Sequence, residues 1–129
     1  MKIYKIVSLV TSVAFIYSFI QHFFNSGSII DMGLQTSIAT YFLARRMSIF
    51  PLGLAILLFL SRNLPHSKSR QYICLSTGVL LIGYAFIGSY ELIVKTVNSV
   101  ILVPIILEII LGVTFLTIYF KNIKVKIVQ

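Results

Sequence analysis

The chain has 129 residues, of which 58% are hydrophobic and 11% are charged, and its mean hydropathy is +0.99. A soluble domain of this length could not cover so much apolar surface with polar groups, so the expected solvent is lipid. The net charge of +8 does not indicate a nucleic-acid partner, because the basic residues lie at the ends of apolar runs, as in membrane proteins.

Four apolar runs are long enough to cross a hydrocarbon layer of about 30 Å, which takes about 20 helical residues. They cover residues 6–24, 38–61, 71–90 and 99–120. Only helices and closed barrels satisfy their backbone hydrogen bonds in lipid, and runs this long and continuous are helical. The sequence therefore predicts an all-α fold with a single domain, residues 1–129, built as an antiparallel bundle of four transmembrane helices.

The basic residues predict the orientation of these spans. The first connection has no basic residue and the third has only Lys95, whereas the N-terminus, the second connection and the tail are basic. The basic residues on that side are Lys2, Lys5, Arg62, Lys68, Arg70, Lys121, Lys124 and Lys126. Because positively charged connections stay in the cytoplasm, both termini are predicted to be cytoplasmic, with Asp31 and Lys95 outside.

The first span has an alternative interpretation as a secretory signal peptide. It has a basic start, and the segment "NSGS" that follows offers small residues for cleavage. Its apolar part is longer than the about 7–15 residues of a signal peptide, and four spans fit the charge pattern. We therefore expect an uncleaved first span.

The second span, "YFLARRMSIFPLGLAILLFLS", carries two adjacent arginines near its outer end. A charge inside the bilayer costs at least about 2.5–3.5 kcal/mol on insertion scales, so it normally has a partner. At about 1.5 Å per residue, Arg45 lies about 10 Å below the outer start of its helix, and Glu108 lies about 14 Å below the start of the fourth. We predict that Arg45 pairs with Glu108, and that Arg46 extends to the outer headgroups.

Helical spacing also places polar residues on one face of each of the first three spans. These residues are Ser8, Thr11, Ser18, His22 and Asn25 in the first span, Tyr41, Arg45 and Ser48 in the second, and Thr77, Tyr84 and Glu91 in the third. We expect these faces to turn toward one another, with a ligand site at their outer ends. The predicted site comprises Arg45, Glu108, Tyr41, His22, Tyr84 and Glu91. The alternative is that the ion pair and the hydroxyl groups only hold the helices in register.

The residue types that support enzyme chemistry are scarce. Cys74 is the single cysteine, which excludes an internal disulfide, a CxxC pair and a cysteine zinc cluster. His22 and His66 lie in different contexts, and no Gly-rich phosphate loop, HExxH or GxSxG string occurs. We therefore expect no catalytic residue and no metal site.

From residue 30 to residue 120 the chain resembles the DoxX-like group of small four-span bacterial membrane proteins. The resemblance lies in "FLARRMSIFPLGLAILLFLSRN", the basic connection after it, and "GVLLIGYAFIGSYELI". Arg45 matches the apolar-Ala-Arg step that commonly begins the second span of that group, and Gly53 matches its Gly-containing aliphatic run. The resemblance implies the bacterial cytoplasmic membrane, and it allows a quinone or a lipid as ligand, because some members are associated with quinone-linked respiratory enzymes.

Three functions fit the sequence. The first is a binding or accessory module for a lipid-like or quinone-like ligand, or for a partner in the membrane, either another protein or a second copy of the chain. The second is a small ion- or proton-coupled transporter or channel that uses Glu108. The third is a structural or holin-like protein with no site. A permanent arginine partner would oppose changes in the protonation of Glu108, so the predicted pair favours the first function. If Glu108 instead faces water without Arg45, the second is favoured.

Overall fold

The computed structural model describes residues 2–24 and 38–126, with the backbone alone at residues 39, 41 and 122–126. The described residues form four α-helices: α1 (Lys2–Phe24), α2 (Ile38–Ser61), α3 (Lys68–Ile93) and α4 (Leu102–Lys126). A short 3₁₀ helix, Ser99–Ile101, leads directly into α4. All four helices are long and apolar enough to cross a membrane. The prediction of an all-α fold with four membrane-length helices is therefore confirmed.

Three of the four described helices extend beyond the apolar runs that predict them, whereas α2 has the predicted bounds, residues 38–61. The first helix begins at Lys2 rather than at residue 6, and α3 covers residues 68–93 rather than 71–90. The additional residues are mostly polar or basic, and such residues can continue a helix into the headgroup layer. Hydropathy marks the part of a helix that lies in hydrocarbon, whereas capping residues mark where the helix ends.

Local hydrogen bonds define both ends of α3. At its start, the Ser67 side chain accepts a hydrogen bond from the backbone N–H of Arg70 over 3.3 Å, as an N-cap residue does. After its end, Lys95 adopts the left-handed conformation with φ of 60°, and its N–H donates to the Leu92 carbonyl. The backbone N–H of Thr96 donates to the Glu91 carbonyl over 3.0 Å. These bonds satisfy carbonyl groups that a helix end leaves free.

The helices pack in two pairs. The first pair is α1 with α2, the second is α3 with α4, and α1 also contacts α4. In the second pair, a Cβ atom added at Gly78 would lie 2.8 Å from the Leu116 side chain and 3.2 Å from the Gly112 carbonyl. Glycine therefore lets α3 and α4 approach closely, as small residues do between membrane helices.

A small cluster of buried side chains joins the two pairs. Its members are Tyr4 and Phe15 from α1, Ala55 and Leu58 from α2, Cys74 and Leu81 from α3, and Phe115 from α4. Most of the other large apolar side chains face outward, including Phe86, which is 75% exposed. Such an apolar exterior suits lipid, since it would be unfavourable in water.

Candidate functional site

The predicted ion pair between Arg45 and Glu108 is wrong. Arg45 lies on α2, which packs against α1, whereas Glu108 lies on α4, which packs against α3. Arg45 is exposed, and within the described part of the chain it forms no ion pair with Glu108. The prediction rested only on the similar depth of the two residues in the membrane. Similar depth does not mean that two residues are in contact when their helices belong to different pairs.

Glu108 instead lies at the seam between α3 and α4. Gly88 of α3 packs against Ile105 of α4, where an added Cβ atom would lie 3.0 Å from the Ile105 side chain. Tyr84 lies one turn before Gly88, and Glu108 lies almost one turn after Ile105, so both residues flank the same contact. The Glu108 carboxylate is close enough to the Tyr84 hydroxyl to interact with it electrostatically. This is the pair of predicted site residues that the structure brings together.

Among the residues that the structure describes, none supplies a counter-charge to Glu108. The carboxyl group is half-buried, and among the described residues no arginine, lysine or histidine forms an ion pair with it. A carboxylate without a cation is costly in hydrocarbon, so an intramembrane carboxyl group carries a proton, binds a cation or faces water. Tyr84 is partly exposed and supplies a hydroxyl that can donate to the carboxylate or accept from the acid.

The other predicted site residues lie elsewhere. His22 is bound within its own helix, because its Nδ1–H donates to the Ser18 carbonyl over 2.7 Å. Glu91 is half-buried in the last turn of α3, about 10 Å along the helix from Tyr84 at 1.5 Å per residue. The side chain of Tyr41 lies outside the described residues.

The predicted polar faces have different outcomes in the three helices. Ser8 and Thr11 of α1 and Thr77 of α3 are buried, as predicted for faces that turn inward, whereas Tyr84 on the predicted face of α3 is 40% exposed. Asn25, at the end of the predicted face of α1, lies outside the described residues. On α2 the predicted face is split, because Ser48 is buried while Arg45 is exposed. Ser48 donates to the Arg45 carbonyl over 2.6 Å, so its hydroxyl is satisfied within its own helix. A hydroxyl residue that bonds to its own backbone does not need a polar neighbour.

The sequence did not single out the cluster around Arg70. This arginine is only 5% exposed, and it donates to the Leu64 carbonyl over 3.4 Å and to His66 Nδ1 over 2.9 Å. Its guanidinium lies 5.2 Å from the centre of the Tyr4 ring. The hydroxyl of Tyr4 in turn donates to Ser61 Oγ over 3.1 Å. One sequence signal could have indicated this cluster: His66 and Arg70 are four residues apart, on either side of the Ser67 cap. From the sequence, Arg70 supports only the topology.

Comparison with known proteins gives no match to a family model, a curated protein or a solved structure. The resemblance to the DoxX-like group therefore stays a prediction. In the part of the chain that the structure describes, no group of three or more His, Cys, Asp or Glu residues is arranged to hold a metal ion.

Proposed function

We propose that the chain is a multi-pass protein of the bacterial cytoplasmic membrane, with antiparallel neighbouring helices and both termini on the cytoplasmic side. Contacts that join the start of one helix to the end of its neighbour support the antiparallel arrangement. Tyr4, near the start of α1, bonds to Ser61, the last residue of α2. Gly88, near the end of α3, packs against Ile105, near the start of α4. The asymmetry of the basic residues supports the orientation.

Within that membrane, the chain acts as a small ion- or proton-coupled transporter, and Glu108 binds the proton or cation. The observation that carries this proposal is the half-buried Glu108 carboxyl group beside Tyr84, without a basic partner among the described residues. A carboxyl group that takes part in coupled transport must change between protonated and ionised states. A fixed arginine would hold it in the ionised state. Its absence favours transport over a site that only binds.

Tyr84 has a supporting role in this proposal. Its hydroxyl lies on the exposed side of the α3–α4 seam, where it can hydrogen-bond to the carboxyl group in either protonation state. Such a partner lowers the cost of a charge that appears for a short time in an apolar layer. Tyr84→Phe should therefore slow transport without abolishing it, whereas Glu108→Gln should abolish coupling to protons.

Carbodiimide labelling tests the state of Glu108 in the membrane. Dicyclohexylcarbodiimide partitions into lipid and modifies carboxyl groups that are protonated in apolar surroundings. Purified protein in vesicles should be labelled at Glu108, as read by peptide mass spectrometry, and Glu108→Gln should lose the label. Glu91→Gln is the matched control, because Glu91 lies two residues before the end of α3, whereas Glu108 lies six residues inside α4, and this variant should keep the label.

Proton flux tests the activity itself. Vesicles with an internal pH-sensitive dye should acidify under an imposed gradient when they contain the wild-type protein, and they should not when they contain Glu108→Gln. The same result with both proteins would contradict the proposed function. Labelling of Glu91 at the level of Glu108 would contradict the apolar environment on which the proposal rests.

A second candidate function is the binding of a lipid-like or quinone-like ligand, which the surface of α2 favours. A shallow depression of about 480 Å³ lies around Gly53, and its walls are apolar except for Arg46. A Cβ atom added at Gly53 would meet nothing within 4 Å, so a larger side chain would fill the depression without disturbing the fold. Gly53→Leu should remove a co-purified lipid or quinone, whereas Gly83→Leu, in equally open surroundings, should retain it.

A further inference from the structure

The first turn of α3 has an unusual charge for the start of a helix. Acidic residues are favoured there because the N-terminal end of the helix dipole is positive. The first turn of α3 has no acidic residue and instead contains Lys68 and Arg70. The backbone N–H of Arg70 bonds to the Ser67 side chain, but the N–H groups of Lys68 and Ser69 precede the first hydrogen bond of the helix. This turn therefore combines two cations with free amide donors.

The Arg70 side chain is directed back over this turn, and no described residue compensates its charge. Its partners are the Leu64 carbonyl, His66 Nδ1 and the Tyr4 ring, none of which carries a formal negative charge in these contacts. Arg70 is only 5% exposed, and its Nε–H has no hydrogen-bond partner among the described residues. A buried guanidinium without an anion is unfavourable, because neutral acceptors replace only part of its hydration.

The part of the chain that the structure describes does not supply an anion for Arg70. Among the described residues the carboxylates are Glu91 and Glu108. Glu91 lies about 32 Å from Arg70 along α3, and the level of Glu108, next to Tyr84, lies about 20 Å away, both at 1.5 Å per residue. The residues near this end are basic, including Lys2, Lys5, Arg62 and Lys121. The described residues at this end therefore offer the Arg70 guanidinium no counter-charge.

The length of α3 brings this turn to the level of lipid headgroups. The helix has 26 residues. At 1.5 Å per residue it is about 39 Å long, which exceeds the about 30 Å of the hydrocarbon layer. At least one end of α3 therefore extends out of the hydrocarbon, and its first turn, with Lys68, Ser69 and Arg70, is the end that suits the level of the lipid phosphates. Lys68 is exposed there, and its side chain makes no contact that would hold it within the protein.

We propose that the first turn of α3 binds the phosphate of an anionic phospholipid. Lys68 contacts the phosphate from the exposed side, the free amide groups of the turn donate to it, and Arg70 contributes its charge from the buried side. Helix N-termini bind phosphate through such amide groups, and basic residues at the membrane surface strengthen the attraction to anionic lipids. The lipid would also stabilise the contact of Arg70 with Tyr4, and so the junction between α1, α2 and α3.

The experiment titrates phosphatidylglycerol into the full chain in a nonionic detergent, with phosphatidylcholine as the neutral comparison. Thermal unfolding and native mass spectrometry report stability and bound lipid. Phosphatidylglycerol should raise the melting temperature of the wild-type protein and remain bound. Lys68→Glu, an exposed substitution that leaves the Arg70 contacts intact, should weaken the apparent affinity for this lipid by about tenfold. Lys121→Glu makes the same change of net charge on α4 and should cause a clearly smaller loss.

His66→Glu provides an independent measurement, because position 66 is in direct contact with Arg70. A carboxylate there supplies the anion within the chain. This variant should unfold at a higher temperature than the wild type in phosphatidylcholine, and it should gain less from phosphatidylglycerol.

Three results would overturn the proposal. If Lys68→Glu and Lys121→Glu weaken the apparent affinity for phosphatidylglycerol equally, lipid binding depends only on the net charge of the protein. A wild-type protein that gains equally from both lipids would exclude an anion site. Inorganic phosphate that stabilises the wild type without lipid and displaces phosphatidylglycerol would assign the site to free phosphate.

Discussion

Gly78 of α3 lies against Leu116 of α4 so closely that a Cβ atom at Gly78 would come within 2.8 Å of the leucine side chain. Gly78→Ala should therefore force the two helices apart and destabilise the protein by about 1–3 kcal/mol, as overpacking does in other cores. The free energy of unfolding in mixed detergent micelles measures this effect. Gly83→Ala is the control on the same helix, since its Cβ atom would meet nothing within 4 Å. A larger loss at Gly83 than at Gly78 would mean that α3 and α4 do not pack along this face.

The hydrogen bond between Tyr4 and Ser61 should contribute measurably to stability. Tyr4→Phe removes the hydroxyl that donates to Ser61 Oγ. Because the aromatic ring next to Arg70 is kept, the free energy of unfolding should fall by about 0.5–1.5 kcal/mol, as for a typical hydrogen bond. Tyr17→Phe on the same helix is the control, because the Tyr17 side chain is 63% exposed. If both variants unfold at the same denaturant concentration as the wild type, the contact between the start of α1 and the end of α2 does not form in the membrane protein.

The sequence predicted the helices well because one physical requirement dominates their formation. A segment in lipid must satisfy its own backbone, so an apolar run such as residues 99–120 has to be helical. Composition could not predict which helices pack together, because lipid and leucine are equally apolar and leave no hydrophobic signal for pairing. The close approach at Gly78 and Gly112 decides that question for α3 and α4.

The candidate site was predicted in part for a related reason. Tyr84 and Glu108 were both chosen as polar residues in apolar spans, and the structure brings them to one seam. The pairing of Glu108 with Arg45 was wrong because depth in the membrane fixes one coordinate only. Arg70 was overlooked because a basic residue next to a predicted connection also fits the topology rule, and sequence does not reveal that it is buried.

The proposed orientation of the chain predicts which positions react from outside the cell. If both termini are cytoplasmic, a membrane-impermeant reagent should modify Lys95→Cys in intact cells, and it should modify Lys68→Cys only after the cells are opened. Both variants should carry Cys74→Ala so that each has one thiol, and both positions are exposed. Modification of Lys68→Cys in intact cells would reverse the orientation, and modification of both would contradict a single topology.

Double-mutant cycles should distinguish the interaction of Glu108 with Tyr84, which the structure contains, from an ion pair of Glu108 with Arg45, which it does not contain among the described residues. The changes in the free energy of unfolding caused by Arg45→Gln and by Glu108→Gln should add to within about 0.5 kcal/mol in the double variant, because the two residues belong to different helix pairs. Tyr84→Phe and Glu108→Gln should deviate from additivity by about 0.5–3 kcal/mol, since their side chains share one seam. Arg46→Gln combined with Glu108→Gln is a matched control and should be additive. Strong coupling between Arg45 and Glu108 would mean that an ion pair forms in the membrane. Because a fixed arginine opposes protonation of the carboxyl group, that result would remove the main argument for a transporter.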